Sequence, residues 1–74
     1  MRSLPTLTQG STQAADVRRA QALLDAAGYG LTLDGDFGPG TASAVRAFQH
    51  GHGLVSDGAV GPLTWSVLVT GAAA

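Results

Sequence analysis

The sequence contains no cysteine, so neither a disulfide framework nor a thiolate metal site is available to supplement its core. That absence leaves the compartment open, because a compact helical domain outside a bacterial cell needs no crosslink either. Charge is scarce as well. Charged residues are 12% of the 74, the basic side chains are four arginines with no lysine, and the net charge is −1. Duplex binders carry a basic stripe that displaces counterions, and four arginines do not make one, so no nucleic-acid partner is expected. No run approaches the length of a membrane span, and the start MRSLPTLTQGS lacks the apolar core of a secretion signal. No membrane partner is expected, and export would have to come from elsewhere in a longer protein.

What remains is a small, apolar, foldable chain. The hydrophobic fraction of 45% is far from the signature of disorder, and at this length only one core can form. Much of that fraction is alanine, so Val17, Leu23, Leu24, Phe37, Val45, Phe48, Leu54, Val60, Trp65 and Leu68 are expected to carry the core, with alanines allowing close helix approach.

The chain writes one sentence twice: DGDFGPGT at 34–41 and DGAVGPLT at 57–64. In each, Asp-Gly (Asp34 and Gly35, Asp57 and Gly58) makes a turn, a hydrophobic residue follows, and Gly-Pro (Gly38 and Pro39, Gly61 and Pro62) opens a helix, with proline where its missing N–H costs nothing. The aspartates suit Asx-type turns within their own loops. Phe37 and Val60 precede the caps and can staple to Ala42 and Trp65. Thr41 and Thr64 fall at the third helical position, where a hydroxyl can reach back to the cap. A wider echo pairs Val17, Arg18 and Gln21 with Val45, Arg46 and Gln49. The repeating unit is therefore helix, glycine turn, short hydrophobic piece and DGxxGPxT, with the third helix a truncated start of another unit.

Apolar positions at steps of three and four (Val17, Ala20, Leu24, Ala27) predict a first helix from Ala14 to Gly28, with Tyr29 packing back on its last turn. A second is predicted after Gly38 to about His50 with Ala42, Val45, Phe48 and Gln49 on one face, and a short third after Gly61 with Trp65, Leu68 and Val69 together. The fold class is all-α, three helices and no more than a very short strand pair. Residues 1–12 are expected as an extended lead-in with Leu4 and Leu7 tucked against the body, 13–70 as the domain and 71–74 as a frayed tail.

The order GY, DGDFGPGT, AVRAFQ, HGL, DGAVGPLTW, spanning about Leu7 to Leu68, resembles the peptidoglycan-binding domain found beside cell-wall hydrolases. The resemblance implies a three-helix fold without activity of its own, without cofactor or metal, and monomeric. Its partners would be peptidoglycan and a covalently attached hydrolase. Its location would be extracellular or at the cell wall, reached by export within a larger protein or by phage lysis. Two positions depart from the family's habit: Ala20 stands where leucine is usual, and TQAAD stands where a glycine turn precedes helix one. The same fold serves as a metalloprotease propeptide, but there a cysteine switch follows, and this chain has no cysteine.

Peptidoglycan offers sugar hydroxyls, N-acetyl groups, amides and carboxylates, so a receptor needs aromatic faces, hydrogen-bonding groups and a cation. The candidates for ligand contact are Tyr29, Asp36, Arg46 and His50, with His52 beside them. Asp36 stands out because the second motif has Ala59 there, so the turn itself does not need that carboxylate. Each candidate has a blander reading. Tyr29 can be packing, and Arg46 a solvated helix residue. His50 and His52 lack further convergent ligands for a metal. Trp65 reads as core, Gln21 and Gln49 as buried amides satisfying loop backbone, and Asp34 and Asp57 as turn residues rather than a glycosidase pair, which needs a cleft between the two carboxyls. The rival function is a protein-docking module, favoured by an apolar patch that includes Leu31, Leu33 or Leu63.

Overall fold

The computed structural model describes residues 4–73, with side chains described for 4–70; residues 1–3 of the expected lead-in and Ala74 of the expected tail lie outside the described residues. Three helices form: α1 (Ala14–Leu24), α2 (Pro39–Gly51) and α3 (Pro62–Ala73). There is no strand among the described residues, only an isolated antiparallel bridge between Leu7 and Val60. α1 packs against both other helices. The domain is all-α.

Helix boundaries follow local chemistry, with two departures from expectation. α1 loses its regular pattern at Leu24 and widens into a π-type turn, Asp25–Tyr29, in which Gly28 takes φ 99° and Gly30 beyond it φ 60°. Two glycines in the left-handed region around Tyr29 make continuation of an α-helix costly. The Asp25 carboxylate then accepts the Leu31 N–H at 3.2 Å, holding the chain as it leaves the turn. α2 starts from extended Gly38 with Pro39 at its first position. It ends in a Schellman arrangement: Gly53 at φ 69°, Leu54 N–H to the Gln49 carbonyl at 2.8 Å, and Gly53 N–H to the His50 carbonyl at 3.3 Å. α3 is not short. It runs through residues 71–73, because TGAA offers no proline or turn dipeptide to stop it and alanine is the best helix former.

One buried cluster contains Leu7, Val17, Ala20, Leu24, Phe37, Ala42, Val45, Phe48, Val60, Trp65 and Leu68. Each large apolar side chain so buried contributes about 1.5–3 kcal/mol. Both expected staple pairs, Phe37 with Ala42 and Val60 with Trp65, belong to it. Leu23 and Leu54 are only half-buried, and Val69 is exposed, since one helical step past Leu68 turns it away from the core. Ala27 is exposed too, because it falls in the wide turn rather than on a helical face.

The lead-in is tied down by hydrogen bonds that span the chain. The Trp65 indole N–H donates to the Pro5 carbonyl at 2.7 Å. Leu7 exchanges both backbone bonds with Val60 at 3.1 and 2.8 Å, and Gly10 N–H donates to the Phe37 carbonyl at 2.9 Å. Phe37 and Val60 occupy the same place in the two repeats, so one extended segment pins both loops.

Candidate functional site

Each repeat folds as the same hydrogen-bonded cassette. In the first, Gln21 reaches from α1 into the following loop: its two amide hydrogens are shared among Asp34 Oδ1 (3.0 Å), the Asp36 carbonyl (3.0 Å) and Thr41 Oγ1 (3.1 Å). Its oxygen accepts Gly35 N–H at 2.9 Å. In the second, Gln49 from α2 does the same with Asp57 Oδ1 (3.0 Å), the Ala59 carbonyl (2.8 Å), Thr64 Oγ1 (3.1 Å) and Gly58 N–H (3.0 Å). The glutamines are 1% and 2% exposed, and a buried amide is tolerated only when it is bonded in this way.

The aspartates accept N–H groups two residues on, Asp36 N–H to Asp34 at 2.9 Å and Ala59 N–H to Asp57 at 3.0 Å. Those backbone donors, then the glutamine amides, hold both carboxyls below the usual aspartate range. One expectation needs correction. Thr41 and Thr64 do not reach back to cap their helices; Gly38 receives no side-chain cap bond, and both hydroxyls take the glutamine amide instead. The amide arrives from the preceding helix at the core side of the loop, where a third-position hydroxyl is buried.

Two open grooves lie on these cassettes at equivalent positions. The first, about 290 Å³, is lined by Gly30, Leu31, Thr32, Asp34, Asp36, Gly38, Gly40 and Thr41. The second, about 400 Å³, includes Leu54, Val55, Asp57, Ala59, Gly61, Leu63 and Thr64, with Thr6 from the lead-in. Where the first has Thr32, Asp36 and Gly40, the second has Val55, Ala59 and Leu63, so the first groove is polar and the second apolar. Val55 and Leu63 are 80% and 74% exposed. Among the described residues the Asp36 carboxylate takes part in no hydrogen bond or ion pair; only its backbone is used.

The four candidate contact residues do not converge on one site. Asp36 lines the first groove, and Tyr29 stands one residue before its first lining residue, Gly30. Arg46 and His50 are exposed on α2 and line neither groove. The Arg46 guanidinium lies beside the second turn, with Nη1 3.1 Å from where a Cβ on Gly58 would stand, and it approaches Ser43 Oγ at 3.5 Å. Helical spacing made Arg46 and His50 neighbours but carried no information on what they face. Sequence reasoning also missed that His52 packs on Phe48 with ring centroids 4.3 Å apart and that Tyr29 meets the same ring edge-on at 6.0 Å. The signal was present as a histidine four residues after a core phenylalanine, at the cap of the helix that carries it. No group of three or more metal-ligating side chains assembles among the described residues.

Three helices, a doubled glutamine–aspartate–threonine cassette and a pinned lead-in define the fold. Residues 13–68 match the peptidoglycan binding domain family, and the chain belongs to it. It is 44% identical over 66 residues to a zinc D-Ala-D-Ala carboxypeptidase of Streptomyces albus G, an alignment covering 82% of this chain and 25% of that protein. Among solved structures it resembles the endolysin of Burkholderia phage AP3 (TM-score 0.85, 49% identity, 90% of this chain and 26% of that one). It also resembles a peptidoglycan-binding protein from Clostridioides difficile solved with glutamine hydroxamate (TM-score 0.83, 37% identity, 88% and 40%). The chain thus spans about a quarter to two-fifths of these relatives.

Proposed function

We propose that this domain docks reversibly on peptidoglycan and raises the local concentration of an attached cell-wall hydrolase at its substrate, an effective-concentration effect. The observation that carries the reading is the family match over residues 13–68, in a chain that covers only part of relatives bearing hydrolase names. The domain itself is non-catalytic and monomeric and works outside the cell or at the wall. The buried side chains of Gln21, Thr41, Gln49 and Thr64 are spent on loop geometry, and no helix of the described residues is long and apolar enough to cross a membrane. The first groove is its docking face. There the unpaired Asp36 carboxylate stands with Thr32, Gly38 and Gly40 in the lining, a surface suited to a peptide-bearing polymer.

A second reading has its own observation. Val55 and Leu63 beside the second groove form an exposed apolar surface suited to docking a protein domain. Co-sedimentation with insoluble peptidoglycan, stripped of protein and secondary polymers, separates the two. Wild-type protein should pellet, Asp36→Ala should stay largely in the supernatant, and Arg46→Ala should pellet like the wild type. Wild-type protein remaining in solution with walls of several chemotypes would transfer support to protein docking.

A further inference from the structure

The aromatic cluster at the C-terminal end of α2 has no role in the cassettes. Phe48 is 2% exposed and anchored in the core, and it holds two other rings: Tyr29 edge-on at 75° and His52 tilted at 37°. His52 is exposed, so one face of its imidazole rests on Phe48 while the remainder meets solvent. Tyr29 is half-buried, and its hydroxyl lies 3.6 Å from where a Cβ on Gly51 would stand. Neither the Tyr29 hydroxyl nor the His52 imidazole is hydrogen bonded to the protein among the described residues.

The surroundings are bare. Gly28, Gly30 and Gly53 flank the cluster, and a Cβ at any of them would meet nothing within 4 Å. An exposed ring pinned in place has little rotamer freedom left to lose on binding. An exposed ring bordered by donor and acceptor atoms that no protein group uses matches the two sides of a pyranose: an apolar C–H face and a polar hydroxyl and amide rim. Tyr29 immediately precedes Gly30, the first residue of the first groove's lining, so the chain leads from the cluster into that groove.

We propose that Tyr29 and His52, mounted on Phe48, form a saccharide-stacking subsite that takes an N-acetylated sugar ring of the wall's glycan strand. This rests on the wall-binding reading and deepens it. The glycan is held at the ring cluster, while the groove at Asp36 is left for the attached peptide.

The test is an NMR titration of the isotopically labelled domain with a soluble N-acetylglucosamine oligosaccharide, which carries no peptide, run beside co-sedimentation with intact peptidoglycan. The expected result is saturable shifts at Tyr29, Gly51, His52 and Gly53. Affinity should fall roughly fivefold to tenfold in His52→Ala, the loss of one ring contact. Tyr29→Phe, which keeps the ring on Phe48 and removes only the hydroxyl, should show a smaller loss with an unchanged free spectrum. Retention on intact wall together with resonances unmoved by the oligosaccharide would overturn the subsite and leave wall binding standing. Undiminished affinity in His52→Ala would overturn it as well. Failure of both arms would remove the wall-binding reading with it.

Discussion

Replacing Gln49 by leucine approximately keeps the volume of the side chain and deletes its amide, so it isolates what one cassette contributes to the fold. The wild-type amide serves Asp57, Ala59, Thr64 and Gly58 at 2.8 to 3.1 Å. Leucine strands the Gly58 N–H and the Thr64 hydroxyl, both on buried residues, whereas Asp57 is exposed and keeps its bond from Ala59 N–H. At roughly 1–3 kcal/mol for each buried group left without a partner, the expected loss is about 2–6 kcal/mol. A domain of 74 residues has roughly 4–11 kcal/mol in total, at ~0.05–0.15 kcal/mol per residue. Gln49→Leu should therefore be marginally folded at best. Gln21→Leu strands Gly35 N–H in the same way, while the Thr41 hydroxyl keeps its 3.4 Å bond to the Asp36 carbonyl, so its loss should be similar or slightly smaller. Urea unfolding followed by the fluorescence of Trp65, the single tryptophan, measures both. A loss below about 1 kcal/mol in either variant would refute the assignment of these amides as the organisers of the loops. One large and one negligible loss would refute the equivalence of the two cassettes.

Two further outcomes follow from the same loops. Gly35 and Gly58 share φ values of +76° and +77°, so alanine at either is strained by about 1–2 kcal/mol. Gly35→Ala should cost more, because its Cβ would stand 3.1 Å from the Ala14 carbonyl oxygen, while at Gly58 the close atom is the movable end of Arg46; a larger drop in melting temperature for Gly58→Ala would contradict this. Acid should weaken the domain through Asp34 and Asp57, whose carboxyls are held below the value of 3.8. Their contribution is fully present above that value and is lost as pH falls through the depressed folded-state pKa. Stability measured from pH 5 to pH 2 should decline, and the decline should be shallower in Asp57→Asn.

The doubled loop was legible because each of its determinants acts within a few residues: a glycine at positive φ, an Asx turn, a proline at the first helical position. Gln21 and Gln49 were legible as polar residues on otherwise apolar faces, which a fold tolerates only with partners nearby. What escaped depends on partners far along the chain. The Trp65 indole finds Pro5 across nearly the whole sequence, and the wide turn at Asp25–Tyr29 exists with Tyr29 set against Phe48 on another helix. The placement of the candidate contact residues was the least legible part. Arg46 and His50 were chosen by chemistry and helical neighbourhood, and neither property reports which way a helix face points once three helices have packed. Asp36 was chosen by contrast with Ala59, and it alone of the four lines a groove. A difference between two copies of a structural unit marks what the unit does not need.

That contrast also separates folding from recognition within each cassette. Asp34, Gly35, Thr41 and Gln21 have counterparts of the same type in Asp57, Gly58, Thr64 and Gln49, and all are committed to the loop. Three of the positions that differ, Thr32 against Val55, Asp36 against Ala59 and Gly40 against Leu63, line the two grooves and take no side-chain part in the cassette bonds. Groove chemistry can therefore change while the glutamine-centred scaffold stays fixed. A chain with one small core has little stability to spare for a strained or buried reactive group. Here the buried amides and hydroxyls build the scaffold twice, and the groove positions that differ between the copies are free of that task.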